Sequence, residues 1–155
     1  MKKKRTKQII SLVCAIMLFA SVFALTASAN NHTDTEFTFR FTNGGNWVTN
    51  FREKQDTSNC YMYCNSTTNS TYYFTARVEG SFYSGMPSVS NRWDASHGYR
   101  YTIRVGTETT GIRNWVKDDY PNTRVYAAIV GMPSTSSAFT TGGVWSPDNY
   151  AGIGM

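Results

Sequence analysis

Large apolar and polar side chains trade places at every second residue over long stretches of this chain, and that alternation restricts its fold more than any other feature. Phe37, Phe39 and Phe41 alternate with Thr38, Arg40 and Thr42. Tyr72, Phe74, Ala76 and Val78 alternate with Tyr73, Thr75, Arg77 and Glu79. Tyr99, Tyr101, Ile103 and Val105 alternate with Arg100, Thr102 and Arg104. Side chains two apart share a face only in extended backbone, so each run predicts a half-buried strand.

The segments between these runs carry turn residues. Asn43-Gly44-Gly45-Asn46 suits a tight turn and predicts a hairpin joining Phe37–Phe41 to a strand with Trp47, Thr49 and Phe51 on one face. Residues 52–59, 65–70 and 80–92 read as loops, 106–111 as a turn, and 146–149 as a closing turn. Cys60 to Cys64 reads as a short strand with both cysteines and Met62 on one side. Residues 124–130 are apolar on both faces and predict a central strand; Phe139 to Trp145 predicts the last one. Strand spacing fails at Ile112, Trp115 and Val116, which recur at helical intervals and predict a short turn of helix before Pro121. The expected fold is all-β: a single-domain antiparallel β-sandwich of about 7–8 strands, with a small closed barrel as the alternative.

Ahead of this domain stands a different kind of segment. Lys2, Lys3, Lys4, Arg5 and Lys7 precede an apolar run from Ile9 to Leu25 that ends in Ala27-Ser28-Ala29. This is the three-part pattern of a secretory signal peptide. It predicts residues 1–29 as a leader, residues 30–155 as the secreted domain, and an extracellular product with no membrane span after cleavage. No hydrophobic tail or wall-sorting motif is legible before Met155, so the product is expected to be released or held outside the cell non-covalently.

Removing the leader changes the charge argument. The formal charge of +5 belongs to the precursor; without the five leader cations, Lys and Arg match the 10 Asp and Glu one for one. A nucleic-acid partner, which requires a clustered basic surface, is therefore not expected. Arg dominates the remaining cations, and Lys54 and Lys117 are the exceptions.

Two cysteines lie beyond the leader, Cys60 and Cys64. An oxidising exterior favours a disulfide. Residues four apart in a straight strand, however, lie about 13 Å apart at roughly 3.3 Å per residue, against the ~4.4–6.8 Å between Cα atoms that a bridge needs. A Cys60–Cys64 bridge across a sharp bend and buried free thiols both stay open. Zinc would need His32 or His97 from far along the chain.

Catalytic chemistry finds little support. Asp94-Ala95-Ser96-His97 holds the letters of a Ser/His/Asp triad, but sequence neighbours rarely orient one another as a triad requires. Asp94 with Asp118 or Asp119, and Glu79 with Glu108, are carboxylate pairs without a convergent acid–base pattern. Asp118-Asp119 and Asp148-Asn149 lack the ligand spacing of a calcium loop and read as solvated loop acids. No catalytic residue, metal or cofactor is assigned, and the chain is expected not to be an enzyme.

Aromatic residues are the better lead. Tyr61, Tyr63 and Tyr73 fall opposite the core faces of their strands. With Trp93 and Arg100 they form the candidate binding set, since exposed rings stack on sugars or partner side chains.

Three stretches carry a resemblance: Arg52-Glu53-Lys54-Gln55-Asp56, the strand from Tyr73 to Gly80, and Gly143-Val144-Trp145-Ser146-Pro147-Asp148. With the lysine-rich leader, they resemble a group of small secreted proteins of Gram-positive bacteria without an assigned function. The resemblance implies an extracellular β-rich domain and supplies no active residues. The expected function is non-enzymatic binding at or outside the cell envelope, to a cell-wall polymer or a surface protein. A bacteriocin-like antimicrobial protein and a secreted hydrolase are the alternatives.

Overall fold

The computed structural model describes residues 31–106 and 108–149. The leader assigned to residues 1–29 lies outside the described residues. Two antiparallel sheets pack face to face, as the alternation predicts. The first holds β1 (Thr35–Phe41), β10 (Phe139–Ser146), β4 (Cys60–Thr67) and β8 (Glu108–Ile112) in that order. In the second, β9 (Val125–Pro133) and β5 (Phe74–Ser81) lie side by side at the centre. Short strands line both flanks: β2 (Trp47–Val48) and β3 (Arg52–Lys54) on β9, and β6 (Arg92–Asp94) and β7 (Tyr101–Ile103) on β5. One turn of helix, α1 (Val116–Asp119), lies against β9 and β5 and sinks Val116 into the core.

Every second residue of β1, β4 and β5 is buried where the pattern says so. Phe37, Phe39 and Phe41 face Phe74, Ala76 and Val78 across the sandwich. The Phe39 ring meets Phe74 edge-on at 5.5 Å, and Phe41 lies 4.8 Å from Phe139. Such pairs add about 0.5–1.5 kcal/mol each beyond the area they bury. β9 is buried on both faces over most of its length and occupies the expected central place.

Four local expectations are corrected. The predicted hairpin does not form, because β1 pairs with β10 and β2 pairs with β9 in the other sheet. The turn chemistry was sound: Asn43 and Gly44 take φ of 53° and 72°. The turn hands the chain from one sheet to the other, so both segments find partners far along the sequence. Of the turn expected over 106–111, residues 108–111 belong to β8, and the predicted loop at 52–59 begins with β3. The described residues hold ten strands, because both flanks of the second sheet are divided into two pieces too short to show a period. Between β2 and β3 the ladder is kept by one backbone and one side-chain bond: the Thr49 N–H donates to the Ile129 C=O, and the Ile129 N–H to Thr49 Oγ1, both at 3.0 Å.

Candidate functional site

Backbone register places four residues in one row across the second sheet. Arg52 on β3 pairs with Ala127 on β9, Ala127 with Gly80 on β5, and Gly80 with Trp93 on β6. All four face the inside of the sandwich, and the two ends of the row are built in opposite ways.

At the β6 end, Trp93 lies flat against the backbone of Gly80. A Cβ at residue 80 would come within 2.3 Å of the indole ring, so only glycine admits this packing. Phe82 and Tyr120 complete the group, with ring centroids 5.0 Å and 5.1 Å from Trp93 and 4.9 Å from each other. Phe82 is 44% exposed and Tyr120 38%. Tyr83, Met86 and Val89 are also exposed on the loop that follows Phe82. On the other side of α1, His97 stacks on Trp115 at 4.4 Å and Tyr99 lies 5.6 Å from the same ring. The Arg113 guanidinium sits 4.8 Å above Trp115. Six aromatic or imidazole rings thus line the chain around α1, several of them open to solvent.

At the β3 end the row closes over charge. The Arg52 guanidinium lies 5.6 Å from the Trp145 ring and donates to Asn31 Oδ1 at 2.7 Å. Burial lowers its pKa, against the pull of Asp148 and Asp34. Two residues on, Lys54 Nζ donates to Asp148 Oδ1 at 2.7 Å, and both side chains have no exposed surface. Lys54 Nζ also reaches Asp56 Oδ1 and Ser58 Oγ, each at 3.3 Å. The second oxygen of Asp148 accepts the backbone N–H groups of Asn31 at 3.0 Å and Gln55 at 3.2 Å. Burial pushes the Asp56 carboxyl up, but hydrogen bonds from Ser58 and the Lys54 charge outweigh it and hold it below its ordinary value. Neighbouring Cys60 is fully buried, which pushes its thiol up to about 12.

The outer face of the second sheet carries a ladder of ion pairs. Arg77 bonds Glu79 and reaches Asp94, while Arg100 donates to Asp94 Oδ2 at 2.8 Å. Partial burial works against ionisation of Asp94; bonds from Arg100 and the Ser96 N–H, with the Arg100 and Arg77 charges, prevail and lower its pKa.

The five residues singled out from sequence do not converge. Tyr61 and Tyr63 are half-buried on the outer face of the first sheet, opposite Cys60, Met62 and Cys64. Tyr73 precedes β5 in the second sheet, with Arg104 4.4 Å from its ring. Arg100 belongs to the Asp94 ladder. Trp93 alone joins the aromatic cluster, and it does so from the core-facing side. Cys60 and Cys64 are free thiols on one face of β4, so the bridge left open from sequence is not made. Cys64 Sγ instead lies 2.9 Å from Thr141 Oγ1.

Nor do the triad letters meet. Ser96 Oγ is buried and bonded to the Val78 N–H and C=O. His97 takes a φ of 47°, turns away, and places Nε2 3.4 Å from Asp119 Oδ2. Asp148, read as a solvated loop acid, is wholly buried because Lys54 and two backbone N–H groups replace its water.

A family profile described as "Protein of unknown function (DUF2712)" matches residues 20–149. The chain belongs to this family. Comparison with curated proteins and with solved structures returns no match. The family match spans both ends of the row, from Lys54 and Trp93 to Asp148, and assigns neither a role. Sequence reasoning missed Phe82 and Tyr120 because they sit in loops without a period, and it read Trp115 only as part of the helical turn before Pro121. It missed Lys54 because a three-residue strand inside a charged segment looks like a loop.

Proposed function

We propose that this protein works outside the cell as a non-enzymatic binding domain and that Phe82, Trp93 and Tyr120 form its contact surface toward a cell-wall polymer. One observation carries the reading: three mutually packed rings, two of them more than a third exposed, sit on a rigid sheet edge fixed by Gly80. Aromatic surface of this kind offers large contact area at small entropic cost and suits the apolar faces of sugar rings. The leader pattern in residues 1–29 supplies the extracellular setting, and a near-neutral domain is not repelled by an anionic wall.

Sedimentation of the domain with purified Gram-positive wall material tests the reading. The domain is expected in the pellet, and Phe82→Ala with Tyr120→Ala is expected to leave it in solution while its circular dichroism is unchanged. Equal pelleting of the variant and the parent would remove this surface from consideration.

A further inference from the structure

We propose that Lys54 and Asp148 become joined in the folded protein by an intramolecular amide bond between Nζ and Cγ, with Asp56 as the proton carrier. Four observations converge on this pair. The nucleophile and the carboxyl are in contact at 2.7 Å and both are completely buried. Water is thereby excluded, and the charge-separated pair loses the solvation that would otherwise hold it in its ionic form. Passage of one proton leaves a neutral amine facing a neutral acid, the pair needed for attack.

The remaining groups match the reaction. Asp148 Oδ2 already accepts two backbone N–H groups, from Asn31 and Gln55, which are placed to receive the oxyanion of a tetrahedral intermediate. Asp56 Oδ1 lies 3.3 Å from the same Nζ that contacts Asp148 Oδ1, and its side chain is 25% exposed. The choice of cation is telling too. Arg fills nearly every cationic position of the domain, including adjacent Arg52, yet Lys stands here. A guanidinium does not deprotonate in proteins, whereas an amine does when buried.

The step balances. Nζ first passes one proton to Asp148 Oδ1, which it contacts at 2.7 Å. The neutral amine then attacks Cγ and gives a second proton to Asp56, while Oδ2 takes the negative charge. As the C=O bond re-forms, Asp56 returns that proton to Oδ1, the Cγ–Oδ1 bond breaks, and Oδ1 leaves as water. An ammonium and a carboxylate become an amide and water, with no change of oxidation state. Amide formation is unfavourable between dilute partners in water. Partners held in register by β3 and the end of β10 gain an effective molarity of about 10⁵–10⁸ M. The bond would close the chain between two segments 94 residues apart.

Intact-mass measurement of the denatured wild-type domain decides the matter. The expected mass is short by one water, and tandem spectra of a digest are expected to show one branched peptide joining the segments around Lys54 and Asp148. Lys54→Arg, which keeps the charge pair, and Asp148→Ala are each expected to restore the full mass. Asp56→Asn keeps both reactants and is expected to restore most of it. A full mass in the wild type after prolonged incubation overturns the proposal. So does a water loss that persists in Lys54→Arg or maps to a linear peptide, the mark of succinimide formation at Asp148-Asn149.

Discussion

The two flanks of the six-stranded sheet solve the same packing problem with inverted materials. At β6 the inward row ends in aromatic rings that stay partly in water; at β3 it ends in Arg52, and two residues on a lysine and an aspartate lie wholly out of water. Hydrophobic surface usually goes inside and charge outside. The inversion teaches that burial here follows from what the neighbouring chain supplies. The β3 flank has Asp148, Asp56 and Ser58 to replace water around the Lys54 ammonium, and the Asn31 and Gln55 N–H groups to replace it around the Asp148 carboxylate. Among the described residues the β6 flank has no strand beyond it, and Phe82 and Tyr120 pack on Trp93 there.

The largest way to break this contrast is at Lys54. Lys54→Ala or Asp148→Ala strands one buried group without its partner and is expected to cost about 3–5 kcal/mol, read as a fall in denaturation midpoint. A Lys54→Met, Asp148→Leu double variant is expected to recover part of that loss. A cost below about 1 kcal/mol for either single change would show that water replaces the missing partner, and the contrast with β6 would dissolve.

On the opposite flank, Gly80→Ala drives a methyl group into the Trp93 indole. It is expected to cost about 1–3 kcal/mol and to red-shift tryptophan fluorescence as the ring swings out. Phe82→Ala should cost only about 1 kcal/mol, because the ring is nearly half exposed and chiefly loses its ring pairs. A Phe82→Ala penalty equal to that of Lys54→Ala would mean that the aromatic flank is core and has no surface to offer a ligand.

Titration separates the flanks further. The Cys60 thiol beside the buried pair is raised from 9.0 to about 12. Its contribution to stability is complete below pH 9 and disappears as pH rises toward 12. Folded protein at pH 9 should therefore resist iodoacetamide at Cys60 until denaturant is added. Asp94, on the outer face of β6, is shifted the other way. Its contribution is present above the ordinary carboxylate value of about 3.9 and disappears as pH falls through its lowered pKa. The effect is the smallest of the set, since solvent screens an exposed pair. Asp94→Asn is expected to flatten the acid end of the stability curve slightly, and a large flattening would place more of the stability on the Arg ladder than its exposure allows.

Much of the fold was legible because its long strands carry their own period. Phe37 to Phe41, Cys60 to Cys64 and Phe74 to Val78 bury the side chains that alternation selects. Cys60 and Cys64 share a face of a strand, as their spacing requires, which also keeps them from bridging. Pairing was not legible in the same way. Asn43-Gly44 marks a turn whether the chain returns to its own sheet or crosses to the other, and the choice depends on β9 and β10, some 90 residues later. The candidate sites were the least legible. Tyr61 and Tyr73 each occupy a strand face that sequence can name, but no local pattern says that those faces belong to different sheets.

The sequence by itself determined an all-β chain, its main strand faces, its turn of helix before Pro121, and the balance of charge beyond residue 29. Those properties come from periods of two and from counts, which neighbouring residues are enough to express. Tertiary structure alone decided that Lys54 meets Asp148 and that Phe82 meets Tyr120. Each meeting joins segments that share no local signal: Lys54 on β3 of the second sheet meets the chain just past β10 of the first, and Phe82 just past β5 meets the end of α1, which packs on β5 and β9.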